Sequence, residues 1–201
     1  MSKKKIAIQG ELGAYSHIAT NNLFKDAEIK TCMTFEETFE QAYKDPNYKI
    51  VIPIENSLAG RVADIHYLLP KYKLQIHGEH FQAVEHNLLC KQEANINDIK
   101  FVRSHAQAIG QCQNLINKKK FKPIISADTA GSAKDLAEGN DKSIAAIASS
   151  LSAEIYKLKI LEKNIEDEKG NVTRFLIMGK NIEQPEFSND KKFITSCIFL
   201  S

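Results

Sequence analysis

Tyr48-Lys49-Ile50-Val51-Ile52-Pro53-Ile54 runs straight into Glu55-Asn56-Ser57-Leu58-Ala59-Gly60, and the fold is decided by these thirteen residues. Apart from Lys49, the first seven are apolar and rich in β-branched side chains, the pattern of a buried strand. The next six are a polar turn closed by a glycine, and a helical pattern follows over 61–69. Strand, polar turn and helix in this order form the unit on which α/β proteins place ligands, beyond the carboxyl ends of their strands.

The same alternation extends in both directions, which is the pattern of βαβ units. Upstream, Lys5-Ile6-Ala7-Ile8 reads as a strand, residues 9–15 as a loop, and Ser16 as the N-cap of a helix reaching about residue 25. A second strand covers 29–32, and Thr34, with Glu37 three residues on, forms a capping box for a helix ending at Asp45-Pro46-Asn47. Downstream, residues 74–90 read as one long strand or two, carrying the chain between lobes with a crossover near residue 80. Strands at 101–102, 123–126 and 143–147 then alternate with helices at 107–118, 131–138 and 149–156. Strands at 160–165 and 173–178 flank a charged loop, the second returning to the first lobe. This gives lobe 1 as about 1–79 plus 172–182 and lobe 2 as about 80–171, in mostly parallel sheets. Residues 183–192 are polar, contain Pro185 and read as a linker, and residues 193–200 read as a strand.

A chain of 201 residues with 43% hydrophobic and 26% charged residues is long and apolar enough to fold without disulfide or metal. A net charge of +2 argues against a nucleic-acid partner. The apolar run after Lys3-Lys4-Lys5 is too short for a signal peptide and no membrane span is present, so a cytoplasmic location is expected. Cys32, Cys90, Cys112 and Cys197 have no paired spacing, which predicts neither a zinc site nor a disulfide framework.

Four segments concentrate polar side chains where an apolar strand ends: Glu55-Asn56-Ser57, Ser104-His105-Ala106-Gln107, Asp128-Thr129-Ala130-Gly131-Ser132 and Asn171-Val172-Thr173-Arg174-Phe175. In the first three, a helix N-terminus would offer free amides to an anionic ligand. Taken singly, Ser57, Ser104 and Thr129 read as helix N-caps, and Glu55 with Arg174 as a surface ion pair. Their recurrence on one rim is what points to a site. Gly10-Glu11-Leu12-Gly13 lacks the third glycine and the lysine of phosphate-binding loops. The sequence also contains no His-Glu-x-x-His motif and no hydrolase nucleophile elbow. Chemistry without a cofactor or metal is therefore expected.

These segments resemble the prephenate dehydratase family, in order, from Ile6 to about Gly179. Gly10-Glu11-Leu12-Gly13-Ala14-Tyr15-Ser16-His17 is similar to the family's first signature, and Ile54-Glu55-Asn56-Ser57-Leu58-Ala59-Gly60-Arg61-Val62 to its second. Ser104-His105-Ala106-Gln107 with Gln111-Cys112, Thr129-Ala130-Gly131-Ser132-Ala133, Ala145-Ala146-Ile147-Ala148-Ser149 and Asn171-Val172-Thr173-Arg174-Phe175 complete the set. Ala106 and Val172 depart from residues common in the family. The resemblance implies an α/β fold of two lobes around a cleft, like a type II periplasmic binding protein. It also implies a phenylalanine-binding ACT domain whose first strand would be 193–201, and a homo-oligomer, dimer or tetramer in the full-length form.

The implied reaction removes carboxylate and hydroxyl from prephenate to give phenylpyruvate, CO2 and water. Arogenate, the amino analogue, is an alternative substrate, and a non-catalytic module for small anions an alternative role. The resemblance makes Thr173 the proton donor to the departing hydroxyl. Arg174, with a planar fork suited to a carboxylate, is expected to hold the pyruvyl carboxylate. Asn56, Ser57, Ser104, Gln107, Gln111 and the backbone at Thr129, Ala130 and Gly131 are expected donors, with Phe175 beside them. Glu55 would repel a dianion and is expected to brace Asn56 or Arg174 instead.

Overall fold

A computed structural model describes residues 3–181 and 189–190. The expected strand at 193–200 and all but two residues of the expected linker lie outside them. The chain runs β1 (Lys5–Gln9), α1 (Tyr15–Leu23), β2 (Glu28–Cys32), α2 (Phe35–Lys44), β3 (Tyr48–Asn56), β4 (Gly60–Arg61) and α3 (Ala63–Tyr72). β5 (Gln75–Ala83), β6 (Asn87–Cys90), β7 (Phe101–His105), α4 (Ala106–Gly110), α5 (Gln113–Lys119) and β8 (Lys122–Ser126) follow. The remainder is α6 (Thr129–Glu138), β9 (Ile144–Ala148), α7 (Ser150–Ile155), β10 (Lys159–Glu162) and β11 (Val172–Gly179).

Two sheets result. The first has the order β2-β1-β3-β11-β5 with β4 paired to β3, and the second the order β10-β6-β9-β7-β8. The mostly parallel arrangement expected from the alternation is corrected here. The β1–β2, β1–β3, β7–β8 and β7–β9 pairs are parallel. The other pairs, β3–β4, β3–β11, β5–β11, β6–β9 and β6–β10, are antiparallel. The antiparallel pairs cluster on the strands adjoining the passages between sheets. β5 pairs with β11 along Gln75–Ala83, so residue 80 lies within the first sheet. The chain passes to the second sheet at 84–86 and returns over 163–171.

Burial explains the layers. Ile50 and Ile52 of β3 face the core that holds Phe39 of α2 and Ile65 and Leu68 of α3, while Val51 turns to the other side with Ile6, Ile8 and Phe175. The strand is thus covered on both faces, and each such side chain contributes roughly 1.5–3 kcal/mol of transfer free energy. Leu88, Val102 and Ile147 build the corresponding core under the second sheet. At α2 the expected cap forms: Thr34 accepts the Glu37 amide at 3.1 Å, and the Glu37 carboxylate accepts the Met33 amide at 2.8 Å. α1 differs. Ser16 lies inside it and donates to the Gln9 carbonyl at 3.2 Å, and Ala14 takes the cap position. No described helix is long and apolar enough to cross a membrane.

Candidate active site

A cleft of about 460 Å³ opens between the sheets. Gln9, Gly10, Tyr15 and Ser16 approach it from the end of β1, Asn56 and Arg61 from the β3–β4 hairpin, and Thr173 and Phe175 from β11. His86, Gln107, Gln111 and Thr129 close it from the second sheet's side. A volume of this size suits a small organic acid.

The hairpin turn is held from within. The Asn56 side-chain carbonyl accepts the Leu58 amide at 3.0 Å and the Ala59 amide at 2.8 Å. The expectation of a helix start here is therefore corrected: these amides cap Asn56, and α3 begins only at Ala63. Because Asn56 Oδ1 is occupied, its Nδ2 must point the other way. It donates to Asn171 Oδ1 at 2.6 Å and to Thr173 Oγ1 at 2.9 Å. Thr173 Oγ1 is thus an acceptor toward Asn56, which leaves its own hydroxyl proton for the cleft, where the residue is 8% exposed.

Asn171 passes the pattern on, donating from Nδ2 to Gln111 Oε1 at 3.0 Å. Gln111 Oε1 also lies 2.9 Å from His86 Nε2, and His86 Nδ1 lies 3.1 Å from the Tyr15 hydroxyl. That hydroxyl donates to the Glu85 carbonyl at 2.7 Å. Burial holds the His86 imidazole below its ordinary pKa and pushes the Tyr15 phenol well above its own, so both favour the neutral form. Burial likewise raises the Cys112 thiol far beyond the reactive range.

Several expected site residues are placed elsewhere. Arg174 does not line the cleft. Its Nε and Nη2 reach Glu79 Oε2 at 2.7 and 2.6 Å, and its guanidinium lies 6.0 Å from the centre of the Phe81 ring. Thr173 and Phe175 take the cleft side of β11 and Arg174 the other, as the period of a strand requires. Glu55 is exposed, opposite Arg61 on β4 and Arg174 on β11, and the bracing expected of it is supplied by Glu79 and by the Leu58 and Ala59 amides. Ser104 is 0% exposed inside β7 and donates to the Ile147 carbonyl at 2.7 Å, and His105 caps the five-residue α4 in its stead.

Ser57 accepts the Val172 amide at 3.0 Å, tying the hairpin to β11. The α6 terminus is partly filled by the chain itself, since Asp128 accepts the Gly131 amide at 2.6 Å. A Cβ at Gly131 would come within 2.8 Å of that carboxylate, so a larger residue there would displace the Asp128 side chain. Ala130 is fully buried, and of this segment Ala127, Asp128 and Thr129 face the cleft. Polar cleft residues that were given no role from the sequence include Gln9, Tyr15, Ser16, Arg61, Asp64, His86, His105, Asp128 and Asn171. Arg61 is the cation among them. Period two would have separated Thr173 from Arg174; no motif in Val84-Glu85-His86-Asn87-Leu88 marks His86.

The second seam between the lobes is the loop after β1. Ser149 and Ser152 donate to the Gly13 carbonyl at 2.6 and 3.1 Å, and Tyr156 donates to the Leu12 carbonyl at 2.9 Å. Lys134 pairs with Glu11 at 3.0 Å, and the Gly13 amide donates to His17 Nδ1 at 3.0 Å. Gly13 has φ of +95°, and a Cβ there would lie 2.5 Å from Ser152 Oγ.

The family profile described as prephenate dehydratase matches residues 6–183. Arogenate dehydratase/prephenate dehydratase 2, chloroplastic, of Arabidopsis thaliana is 38% identical over 98% of this chain and 51% of its own. The bifunctional N-acyl-homoserine lactone acylase/prephenate dehydratase of Komagataeibacter europaeus is 39% identical over 87% of this chain and 62% of its own. A crystal structure of prephenate dehydratase from Arthrobacter aurescens in complex with L-Phe superposes with a TM-score of 0.83 at 25% identity, covering 92% of this chain and 63% of that one. The chain spans about half the length of the plant relatives it matches. With the profile matched over residues 6–183 and five of the six signature segments lining one cleft, the chain belongs to the prephenate dehydratase family.

Proposed function

We propose that the cleft converts prephenate to phenylpyruvate, CO2 and water. The observation that carries this reading is the polarity at Thr173: a buried hydroxyl oxygen accepts from Asn56, so its proton is free for a bound substrate. The electron pair of the breaking C–C bond moves into the ring as CO2 departs, and the ring C–O bond breaks in the same sense. Thr173 donates to the leaving oxygen, which goes as water, and solvent returns the proton to threonine afterwards. A positioned donor of this kind typically supplies about 100- to 10,000-fold in rate. The buried relay behind Asn56 keeps the donor oriented without reorganisation in the transition state.

Arg61, rather than Arg174, is the proposed partner of the retained carboxylate, because it lines the cleft and Arg174 is committed to Glu79. Gln107 and Thr129 are proposed to orient the substrate from the other wall. The proposed reaction uses protein groups alone. The expected homo-oligomer is proposed to form at β5, the end strand of the first sheet's order, where Ile76 and Phe81 are exposed.

Arogenate is the second reading, favoured by Asp64 and Asp128 in the cleft wall, since a carboxylate can meet the amino group that replaces the keto oxygen. Ultraviolet detection of phenylpyruvate from prephenate and, separately, of phenylalanine from arogenate tests both. Turnover of neither would refute the proposed activity.

A further inference from the structure

We infer that His86 is a positioning residue for Thr173, acting through Gln111, Asn171 and Asn56 as the fixed-proton end of a one-way hydrogen-bond relay. The inference rests on the proposed role of Thr173, but its geometry stands alone. Each amide in the relay is oriented by its neighbour, starting from the two backbone amides on Asn56 Oδ1 at 3.0 and 2.8 Å. A turned Asn56 would aim its NH2 at two N–H groups. A turned Asn171 would set NH2 against the Asn56 NH2 at 2.6 Å. A turned Gln111 would set NH2 against the Asn171 NH2 at 3.0 Å. Gln111 must therefore present its carbonyl to His86 Nε2 at 2.9 Å, and that nitrogen must carry a proton.

Two groups hold His86 from its other side. The Glu166 carboxylate accepts its backbone amide at 2.9 Å, which fixes the backbone behind the ring. The Tyr15 ring meets the imidazole edge-on, with centroids 5.8 Å apart, and its hydroxyl lies 2.7 Å from the Glu85 carbonyl and 3.1 Å from Nδ1, so with Nε2 protonated its one proton is shared between that carbonyl and the bare Nδ1. With the proton on Nδ1 instead, the Nε2 lone pair would face the Gln111 carbonyl at 2.9 Å and push Gln111 away, loosening its hold on Asn171, which shares Asn56 Nδ2 with Thr173. The backbone amides keep Asn56 from turning, so the loss falls on how firmly its Nδ2 is aimed at Thr173. The relay crosses from the second sheet's side to the first, so it also ties donor orientation to the juxtaposition of the lobes.

The test has two arms. In the free protein, the imidazole nitrogens of His86, labelled with 15N, should show a protonated Nε2 and, near neutral pH, a bare Nδ1. A proton found on Nδ1 alone overturns the inference, whatever the enzyme's substrate. In the kinetic arm, His86→Leu should lower kcat for prephenate about tenfold, the size of one buried hydrogen bond, with KM within about twofold. His86→Gln keeps an N–H donor and should stay within about threefold of the parent. In an Asn171→Leu background the relay is already cut, so adding His86→Leu should cost less than about a further twofold. Independent losses that multiply, an unchanged kcat in His86→Leu, or equal losses in the leucine and glutamine variants overturn it. Absence of prephenate turnover in the parent protein would instead refute the proposed function and leave the labelling result to decide the relay.

Discussion

The two lobes meet at two seams, and the seams are built on opposite principles. Along the cleft wall, Asn56, Asn171, Gln111 and His86 join side chain to side chain, each with one orientation permitted by the last. At the loop after β1, hydroxyls of Ser149, Ser152 and Tyr156 rest on the backbone carbonyls of Gly13 and Leu12, where no group needs a particular neighbour to define its direction. A directed relay suits chemistry, because it leaves one defined proton at Thr173. A serine clasp suits spacing, because it holds a loop at fixed distance.

The sharpest way to break this contrast is at the relay's end. Thr173→Ala should lower kcat by about 100-fold or more with little change in KM, since it removes a donor used in the transition state. Thr173→Ser should keep measurable turnover. Near-normal rates in the alanine variant would make the relay a structural seam like the other. Between the seams, Arg61→Ala should raise KM for prephenate about tenfold or more, the size of a charge-assisted hydrogen bond, whereas Arg174→Lys should change it less than about threefold. A large KM effect at Arg174 alone would return the carboxylate to that residue.

At the clasp, Gly13→Ala should leave the relay intact but destabilise the protein by about 1–3 kcal/mol, read as a lower melting temperature. The added methyl meets Ser152 and the positive φ disfavours it. A collapse of kcat at unchanged melting temperature would show that the clasp, too, has a chemical role.

The smallest effect concerns pH and places one histidine on each side of the comparison. His17 and His86 both have pKa values lowered by burial, so the folded protein binds fewer protons than the unfolded chain as pH falls through the ordinary histidine range. The melting temperature should therefore decline below about pH 6.5. His17→Gln should flatten that decline, because the Gly13 amide needs an unprotonated Nδ1 at His17. An unchanged slope in His17→Gln would mean that the clasp does not sense protonation.

What the sequence disclosed follows the same division. Strands and helices were legible because burial imposes period two and 3.6, and the Thr34–Glu37 cap because both partners lie within four residues. Asn56 and Thr173 were legible by resemblance, although the bond that orients them joins residues 117 apart. Antiparallel pairing was not legible, since an isolated strand pattern carries no direction. His86 was hidden because its partners, at positions 15 and 111, are distant in the chain and no local motif marks it. Ser104 misled for the reverse reason: a polar residue at a strand end resembles a cap even when its hydroxyl serves an adjacent strand.

β11 sits between β3 and β5, and that position governs the order in which a growing polypeptide can take shape. Translation delivers β3 by residue 56 and β5 by residue 83, but the strand that joins them comes last, at 172–179. Until it emerges, both strands lack the neighbour between them, while the whole of the second sheet, residues 87–162, has already left the ribosome as one uninterrupted piece. The inserted lobe can thus mature first and the split lobe must wait, with a loop closure of more than 100 residues as its slow step. Chaperone dependence during synthesis should accordingly track the first lobe rather than the second.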